Sequence, residues 1–302
     1  MGEQAVSMNG AAYDLVTVGN YTKDTIVTQS GTRHVDGGGY SYAAHAARLA
    51  GIRVAAVTRL AVEDRGVAAP LRARGVDVFT HDSPSSTLMR LEYPTANVDE
   101  RILTVAAVAD PIAVTHVRDL QSRAFLVSAS VRGEVPLPVL QLLRERAELL
   151  ALDVQGYVRV VTGAKRLAYE AWPEQAAVLA LVDVLKTDAV EAEFLTGHSD
   201  IHAAATALAA FGPREVVLTH KDGLLVLASG QVHEAPFLPR PLRGRSGRGD
   251  TCVGSYTSRR LSASPADATR WAAAVTTLKL EAEGPVHGSV EDVAAVLADR
   301  YA

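Results

Sequence analysis

Arg245-Ser-Gly-Arg-Gly-Asp250-Thr-Cys-Val-Gly254-Ser255-Tyr256 joins a glycine-rich turn to the start of a helix, with one carboxylate at the junction. Gly247 and Gly249 let the backbone fold tightly, so that several N–H groups can point the same way. The helix start adds roughly half a positive charge, which makes the turn a natural anion site. A carboxylate beside such a site can take the proton of a hydroxyl as that hydroxyl attacks a phosphoryl group. Phosphoryl transfer asks for positioning, charge neutralisation and one well-placed base. The same string also reads as a plain helix cap, since Asp is favoured at helix starts. Arg243, Arg245 and Arg248 likewise read as a solvated basic loop.

Outward from this turn the chain alternates. Strands are expected at 13–19, 54–58, 76–79, 125–129, 149–153, 182–186, 215–219 and 224–228. Helices are expected at 65–74, 139–148, 189–196 and 202–211, with an Ala-rich helix entered through Gly37-Gly38-Gly39 and closed by Gly51. The last third is helical, at about 251–261, 266–282 and 290–301. Such alternation implies crossover units and a mostly parallel sheet covered by helices on both faces, an α/β fold. Two stretches break the pattern. One is the pair of short runs at 25–28 and 32–35 around Ser30-Gly31. The other is LMRLEY and RILTV within 86–105, separated by Pro94, Asn97 and Asp99. These β pieces, at about 24–36 and 86–105, are expected to form a small lid over the ends of the main sheet. With no repeat or low-complexity linker, residues 1–302 are expected to form a single domain.

Composition excludes several classes. Hydrophobic residues make up 48% of the 302, mostly Ala, Val and Leu, enough for a large core. The net charge of −4 and the absence of long single-sign runs argue against nucleic acid or an anionic membrane as partner. Cys252 is the one cysteine, so there is no intrachain disulfide and no cysteine-cluster metal site. The polar start MGEQAVSMNGAAYD lacks a signal-peptide core, and no apolar run reaches the ~18 residues of a membrane span. A cytoplasmic location is the expectation. Neither a G-x-x-x-x-G-K-[ST] string nor a G-x-G-x-x-G fingerprint occurs.

Gly247-Arg248-Gly249-Asp250 resembles the Gly-Ala-Gly-Asp signature of ribokinase-like (PfkB) carbohydrate kinases. The resemblance implies a ribokinase-like fold, an anion hole built from Gly247, Arg248 and Gly249, and Asp250 as catalytic base. Gly244 stands where the family usually has Asp, Arg248 where it has a small residue and Cys252 where it has Phe. Other segments are similar in the right order. Asn20-Tyr21-Thr22-Lys23-Asp24 follows the first strand, and Asp24 matches the family's substrate-holding acid; a carboxylate suits polyols because it accepts two hydroxyl hydrogen bonds. Read alone, Asp24 is also an ordinary turn residue. Gly37-Gly38 is similar to the di-glycine over which sugar hydroxyls lie, with Ser41 or Tyr42 in the region of a usual Asn. Lys186-Thr-Asp188-Ala-Val-Glu191-Ala-Glu193 resembles the family's Lys-Pro-Asn-x-x-Glu-x-Glu element. It implies Lys186 at the nucleotide and Asp188 and Glu191 holding Mg2+ through water, although the pair reads equally as a capping box. Val216-Val-Leu-Thr219 resembles the strand flanking the nucleotide, with Thr219 as a contact.

Within the family VGNYTKDTI at 18–26, ERILTVAAVADPI at 100–112 and LLALDVQGYVR at 149–159 are most similar to the inositol kinase branch. The resemblance therefore implies an ATP- and Mg2+-dependent kinase of a sugar or polyol, with myo-inositol the leaning. A nucleoside kinase of the same fold, or a silent sugar- or nucleotide-binding protein, is the alternative. Lid strands in this architecture sometimes pair across a homodimer, and the sequence leaves that open.

Overall fold

The computed structural model describes residues 12–95 and 102–301. Its centre is a nine-stranded sheet. From one edge the strands are Gln231–Pro236, Gly223–Ala228, Glu215–Thr219, Val184–Asp188, Leu149–Asp153, Ser122–Val127, Tyr13–Val18, Val54–Leu60 and Asp77–Asp82. The first two run antiparallel to their neighbours and the other seven are mutually parallel.

The parallel strands are nearly continuous runs of buried Val, Leu and Ala because both faces are covered. Side chains alternate between two cores with the period of the pleat. Leu15, Leu126, Ala151 and Val184 face one core, together with helices Gly39–Arg48, Arg248–Arg260 and Pro265–Leu280. Val16, Phe125, Val127, Leu152 and Leu185 face the other, against helices Leu137–Arg146, Gln175–Leu179 and Ile201–Ala209. Helices Gly39–Arg48 and Arg248–Arg260 meet closely at Gly254, where a Cβ would fall 2.5 Å from the Ala43 carbonyl oxygen. That contact locks the Asp250 helix onto the tri-glycine helix.

A second sheet has the order Gly31–Gly37, Thr22–Thr28, Thr87–Glu92 and Ile102–Ala107, built from the two stretches that interrupt the alternation. Asp24 lies inside its second strand, opposite Val35 on one side and Met89 on the other, so it is a strand residue and not a turn residue. The turn positions Asn97 and Asp99 lie outside the described residues. The expected helix at 65–74 is a 3-10 turn at Val62–Ala68 followed by one short helix, Ala69–Ala73. Gly66 falls within the 3-10 segment and lowers helix propensity there. Strand Gln231–Pro236 escapes sequence reading because it is a mostly exposed edge without an apolar run. No helix among the described residues is long and apolar enough to cross a membrane.

Candidate active site

The sheet's strand order reverses between Tyr13–Val18 and Ser122–Val127: the chain first builds outward on one side, then returns to build on the other. In open parallel sheets the crevice outside the carboxyl ends of two such strands is where ligands bind. Gly19 and Ser128 are the residues immediately past those ends, and the Ser128 amide donates to the Val18 carbonyl at 2.9 Å. Ser128 reaches the helix start directly, its hydroxyl donating to Asp250 Oδ1 at 3.0 Å.

Gly247 precedes the helix Arg248–Arg260 with φ 75°, a left-handed conformation that favours glycine. A Cβ there would also collide with the Tyr42 ring. Gly247, the N-cap residue, has no side chain with which to cap this helix. The Arg248 amide turns back to the Arg245 carbonyl at 3.2 Å. Among the described residues, the amides of Gly249 and Asp250 find no acceptor in the protein. Two orphan donors at a helix N-terminus can meet the oxygens of an anion, and a carboxylate stands beside them.

Asp24 and Asp250 stand at the two ends of Gly37-Gly38-Gly39. A Cβ on Gly37 would lie 2.8 Å from Asp24 Oδ2, and one on Gly39 would collide with Asp250 Oδ1 and lie 2.7 Å from the Ser128 hydroxyl. The two glycines are two peptides apart, at most about 7 Å. Gly38, with φ 104°, carries the turn into the helix Gly39–Arg48. Tyr42 lies between the acids, and its phenol is pushed up by burial and then by the charges of Asp250 and Asp24. Ser41, half-buried in the first turn of the same helix, spends its carbonyl on His45 Nδ1 at 2.9 Å. Asp24 Oδ1 is buried with no hydrogen-bond partner among the described residues. Burial raises the Asp24 pKa to about 6, the Thr22 hydroxyl working against the rise and the Asp36 charge adding to it.

The other side of the turn rests on a buried charge cluster. The Lys186 ammonium lies 3.1 Å from Asp153 Oδ2 and 3.8 Å from Glu191 Oε2, and Arg159 pairs with Glu191 Oε1 at 3.2 Å. A Cβ on Gly249 would sit 2.6 Å from Lys186 Nζ, so the cluster lies directly under the turn. Burial works against the Lys186 charge, but the Asp153 and Glu191 carboxylates outweigh it and raise its pKa.

Asp188 and Glu191 form the capping box. Asp188 Oδ1 accepts from the Glu191 amide at 2.8 Å, and Glu191 Oε2 accepts from the Asp188 amide at 2.9 Å. Glu191 is fully buried with both oxygens engaged, and no group of three metal-type ligands converges among the described residues. The box engages Asp188 through Oδ1, and Asp188 is only half-buried, so of the two carboxylates it is the one placed to meet a water-bridged cation. Thr219 ends its strand beside Asp188, and its buried hydroxyl donates to the Thr187 carbonyl at 3.4 Å.

Ser128 and Glu134 have a part in this arrangement without a local motif, and Asp153 and Arg159 lie in the 149–159 stretch, whose similarity gave neither a role. The signal available for Ser128 and Asp153 is their place at the carboxyl ends of parallel strands. Glu134 is buried and accepts from the Asn20 amide at 2.5 Å and the Ser130 amide at 3.0 Å, tying together the two strand ends that flank the crevice. Burial pushes its pKa up to about 7, the amides opposing and the Asp250 charge adding.

No curated sequence matches the chain at a significant level. Solved structures do. One is a pyrophosphate-dependent myo-inositol-1 kinase studied through its conversion to a myo-inositol-3 kinase, 30% identical, with a TM-score of 0.85 over 95% of this chain and 100% of that one. Another is the sulfate complex of a pyrophosphate-dependent kinase in the ribokinase family, 31% identical, with a TM-score of 0.87 over 93% of this chain and 99% of that one. Arabidopsis thaliana ribokinase with ribose and ATP shares the fold at 18% identity, with a TM-score of 0.75 over 95% of this chain and 99% of that one. Residues 5–292 match the profile of the pfkB family carbohydrate kinases. The chain belongs to that family, and with it to the enzymes that phosphorylate a sugar or polyol hydroxyl.

Proposed function

We propose that this kinase transfers a phosphoryl group to a hydroxyl of myo-inositol or a closely related polyol, with Asp250 as the base. The observation that carries the reading is the pairing of two orphan amides with a carboxylate steered by Ser128. The donor's terminal phosphoryl group lies against the Gly249 and Asp250 amides. The acceptor hydroxyl loses its proton to Asp250 as the new P–O bond forms, and the bridging oxygen leaves with the rest of the donor. Charge on the transferred group is met by fixed dipoles that need no reorganisation. The acceptor lies over Gly37 and Gly38, whose missing side chains leave it room, beside Tyr42 and Ser41. A second hydroxyl donates to Asp24. Acids at the two ends of one glycine run can hold two hydroxyls of the same polyol. The second sheet, which carries Asp24, acts as a lid that keeps water from the phosphoryl group.

ATP is the donor expected from sequence, with Lys186 beneath its phosphates and Mg2+ arriving as the donor's counter-ion. Pyrophosphate is the second reading. It is favoured by the two relatives of 30–31% identity, both pyrophosphate-dependent, and by Lys186 and Arg159 gathered beside the turn.

Turnover with ATP and with pyrophosphate, against myo-inositol, ribose, adenosine and cytidine, separates the readings. Fastest transfer to myo-inositol is the expected result. Preference for a nucleoside would make this a nucleoside kinase, and donor binding without transfer to any acceptor would make it a silent binder. Asp250→Asn is expected to lower kcat by about 10²- to 10⁴-fold, the usual share of a general base, with donor affinity kept. Ordinary kcat in that variant would remove Asp250 from the chemistry.

A further inference from the structure

Lys279 takes no part in the reaction just described, yet it is a buried charge close to its centre. It lies in the last turn of the helix Pro265–Leu280 and is 1% exposed. Its ammonium donates to the carbonyl oxygens of Gly244 at 3.2 Å and Ala282 at 3.3 Å. No carboxylate forms an ion pair with it among the described residues; Glu283 acts on it from further away. A buried ammonium with only carbonyl partners is costly, and a methionine of similar length would fill the space without that cost.

Its contacts lead into the anion turn by two routes. The first is the backbone. Arg243 and Gly244 both donate their amides to the Leu280 carbonyl, at 2.8 Å and 3.2 Å, and the ammonium takes the Gly244 carbonyl from below. Gly244 is pressed so closely to this helix end that a Cβ would collide with the Ala282 carbonyl oxygen. Three residues later the chain reaches Gly247. The second route is the Tyr42 ring, whose centroid lies 5.9 Å from the ammonium and whose edge abuts Gly247.

We propose that Lys279 is a positioning residue for phosphoryl transfer: its buried ammonium fixes the Gly244 carbonyl and the Tyr42 ring, and through them aims the Gly249 and Asp250 amides at the donor's terminal phosphate. The proposal rests on the kinase reading of the 247–250 turn and adds a residue that lies outside that turn.

Lys279→Met keeps the volume and removes the charge, whereas Lys279→Ala leaves a cavity lined by the two carbonyls. Misaligned amides are expected to lower kcat in both variants by about 10²-fold, with the acceptor KM nearly unchanged. Added ammonium chloride restores a large part of kcat in Lys279→Ala and none in the filled Lys279→Met. Pyrophosphate binding followed by calorimetry, which needs no acceptor, weakens in Lys279→Met by about tenfold or more. The proposal is overturned if Lys279→Met keeps wild-type kcat and pyrophosphate affinity, or if ammonium leaves Lys279→Ala unchanged.

Should either variant fail to fold, the wild-type protein decides. Burial lowers the Lys279 pKa to about 8, with the Glu283 charge opposing. The other charged or titratable groups around it are Arg33, which pairs with Glu283, the Tyr42 phenol, and Arg243 and Arg245 flanking Gly244. A lysine whose folded pKa lies below its unfolded value binds fewer protons when folded, so this group makes stability rise with pH from about 8 towards the unfolded value. Activity that needs the ammonium falls over the same interval. Opposite slopes of kcat and urea stability above pH 8 support the proposal, and a kcat that holds level there sinks it. If the wild type phosphorylates no acceptor, the kinase reading is what fails, and the calorimetric comparison still decides the role of Lys279.

Discussion

The two sides of the Gly37–Gly39 crevice treat buried charge in opposite ways. On the donor side Lys186, Asp153, Glu191 and Arg159 answer one another, and the cluster carries as many positive as negative groups. On the acceptor side Asp24 keeps one buried oxygen with no partner among the described residues, and its neighbour Asp36 adds to the unfavourable charge. Leaving a buried acceptor unpaired costs about 1–3 kcal/mol. A fold tolerates that where a ligand completes the bond, which is why unpaired groups in clefts mark sites better than paired ones. The closed cluster lies under the turn, and the open carboxylate is the group that the proposed function pairs with a hydroxyl.

Breaking the closed cluster has the largest expected consequence. Lys186→Met leaves Asp153 and Glu191 buried with one cation between them, and removing one partner of a buried pair typically costs about 3–5 kcal/mol. Urea denaturation is expected to show a loss of that size, accompanied by weaker donor binding because the support under Gly249 is gone. If stability changes by less than about 1 kcal/mol, the cluster behaves like a surface pair and the contrast drawn above is wrong.

The open side predicts an effect on binding and its pH dependence. Asp24, with its pKa raised to about 6, must be ionised to accept two hydroxyls. Bound acceptor favours the ionised form, so affinity is full above pH 6 and falls by about tenfold per unit well below it. Asp24→Asn should raise the acceptor KM by about 10- to 100-fold, the worth of a hydrogen bond to a charged group, and flatten the profile. Acceptor titrations between pH 4.5 and pH 8 read both effects, and an unchanged acid limb in Asp24→Asn would assign that limb to Glu134, whose pKa is near 7.

How much of this was legible in the sequence follows the same division. The 247–250 turn, the tri-glycine entry and the Asp188–Glu191 box are local signals, each made within a few residues by glycine freedom or capping chemistry, and the structure contains all three features. The alternation of strands and helices carried the parallel sheet for the same reason. Ser128 and Asp153 escaped because a polar residue at a strand end has no pattern of its own, and Glu134 because it lies in the connection between a strand and a helix. Their roles depend on which strands become neighbours, and the register of Tyr13–Val18 with Ser122–Val127 is set across more than a hundred residues. Lys186 and Thr219 show what local similarity leaves out: the Lys186 ammonium sits among buried carboxylates under the 247–250 turn, and the Thr219 hydroxyl is buried at its strand end. A motif reports that a residue is near the site. Only the fold shows which groups surround it there.

The smallest expected effect concerns how the two sheets meet. Arg33, on the outer strand of the second sheet, pairs with Glu283 at 3.1 Å across the crevice mouth, and both side chains are about half exposed. In water such a pair contributes about 0–1 kcal/mol, so Arg33→Gln should leave global stability within about 0.5 kcal/mol of wild type. Its consequence should lie in the acceptor KM, because the strand it holds is paired residue by residue with the strand that carries Asp24. A rise of about two- to fivefold in KM with kcat unchanged is expected, shrinking as salt screens the wild-type pair. Measured at low and high ionic strength, a KM that responds to salt equally in wild type and variant would mean that the pair does nothing to hold the second sheet over the acceptor. The open side of the crevice would then owe its shape to the strand pairing alone.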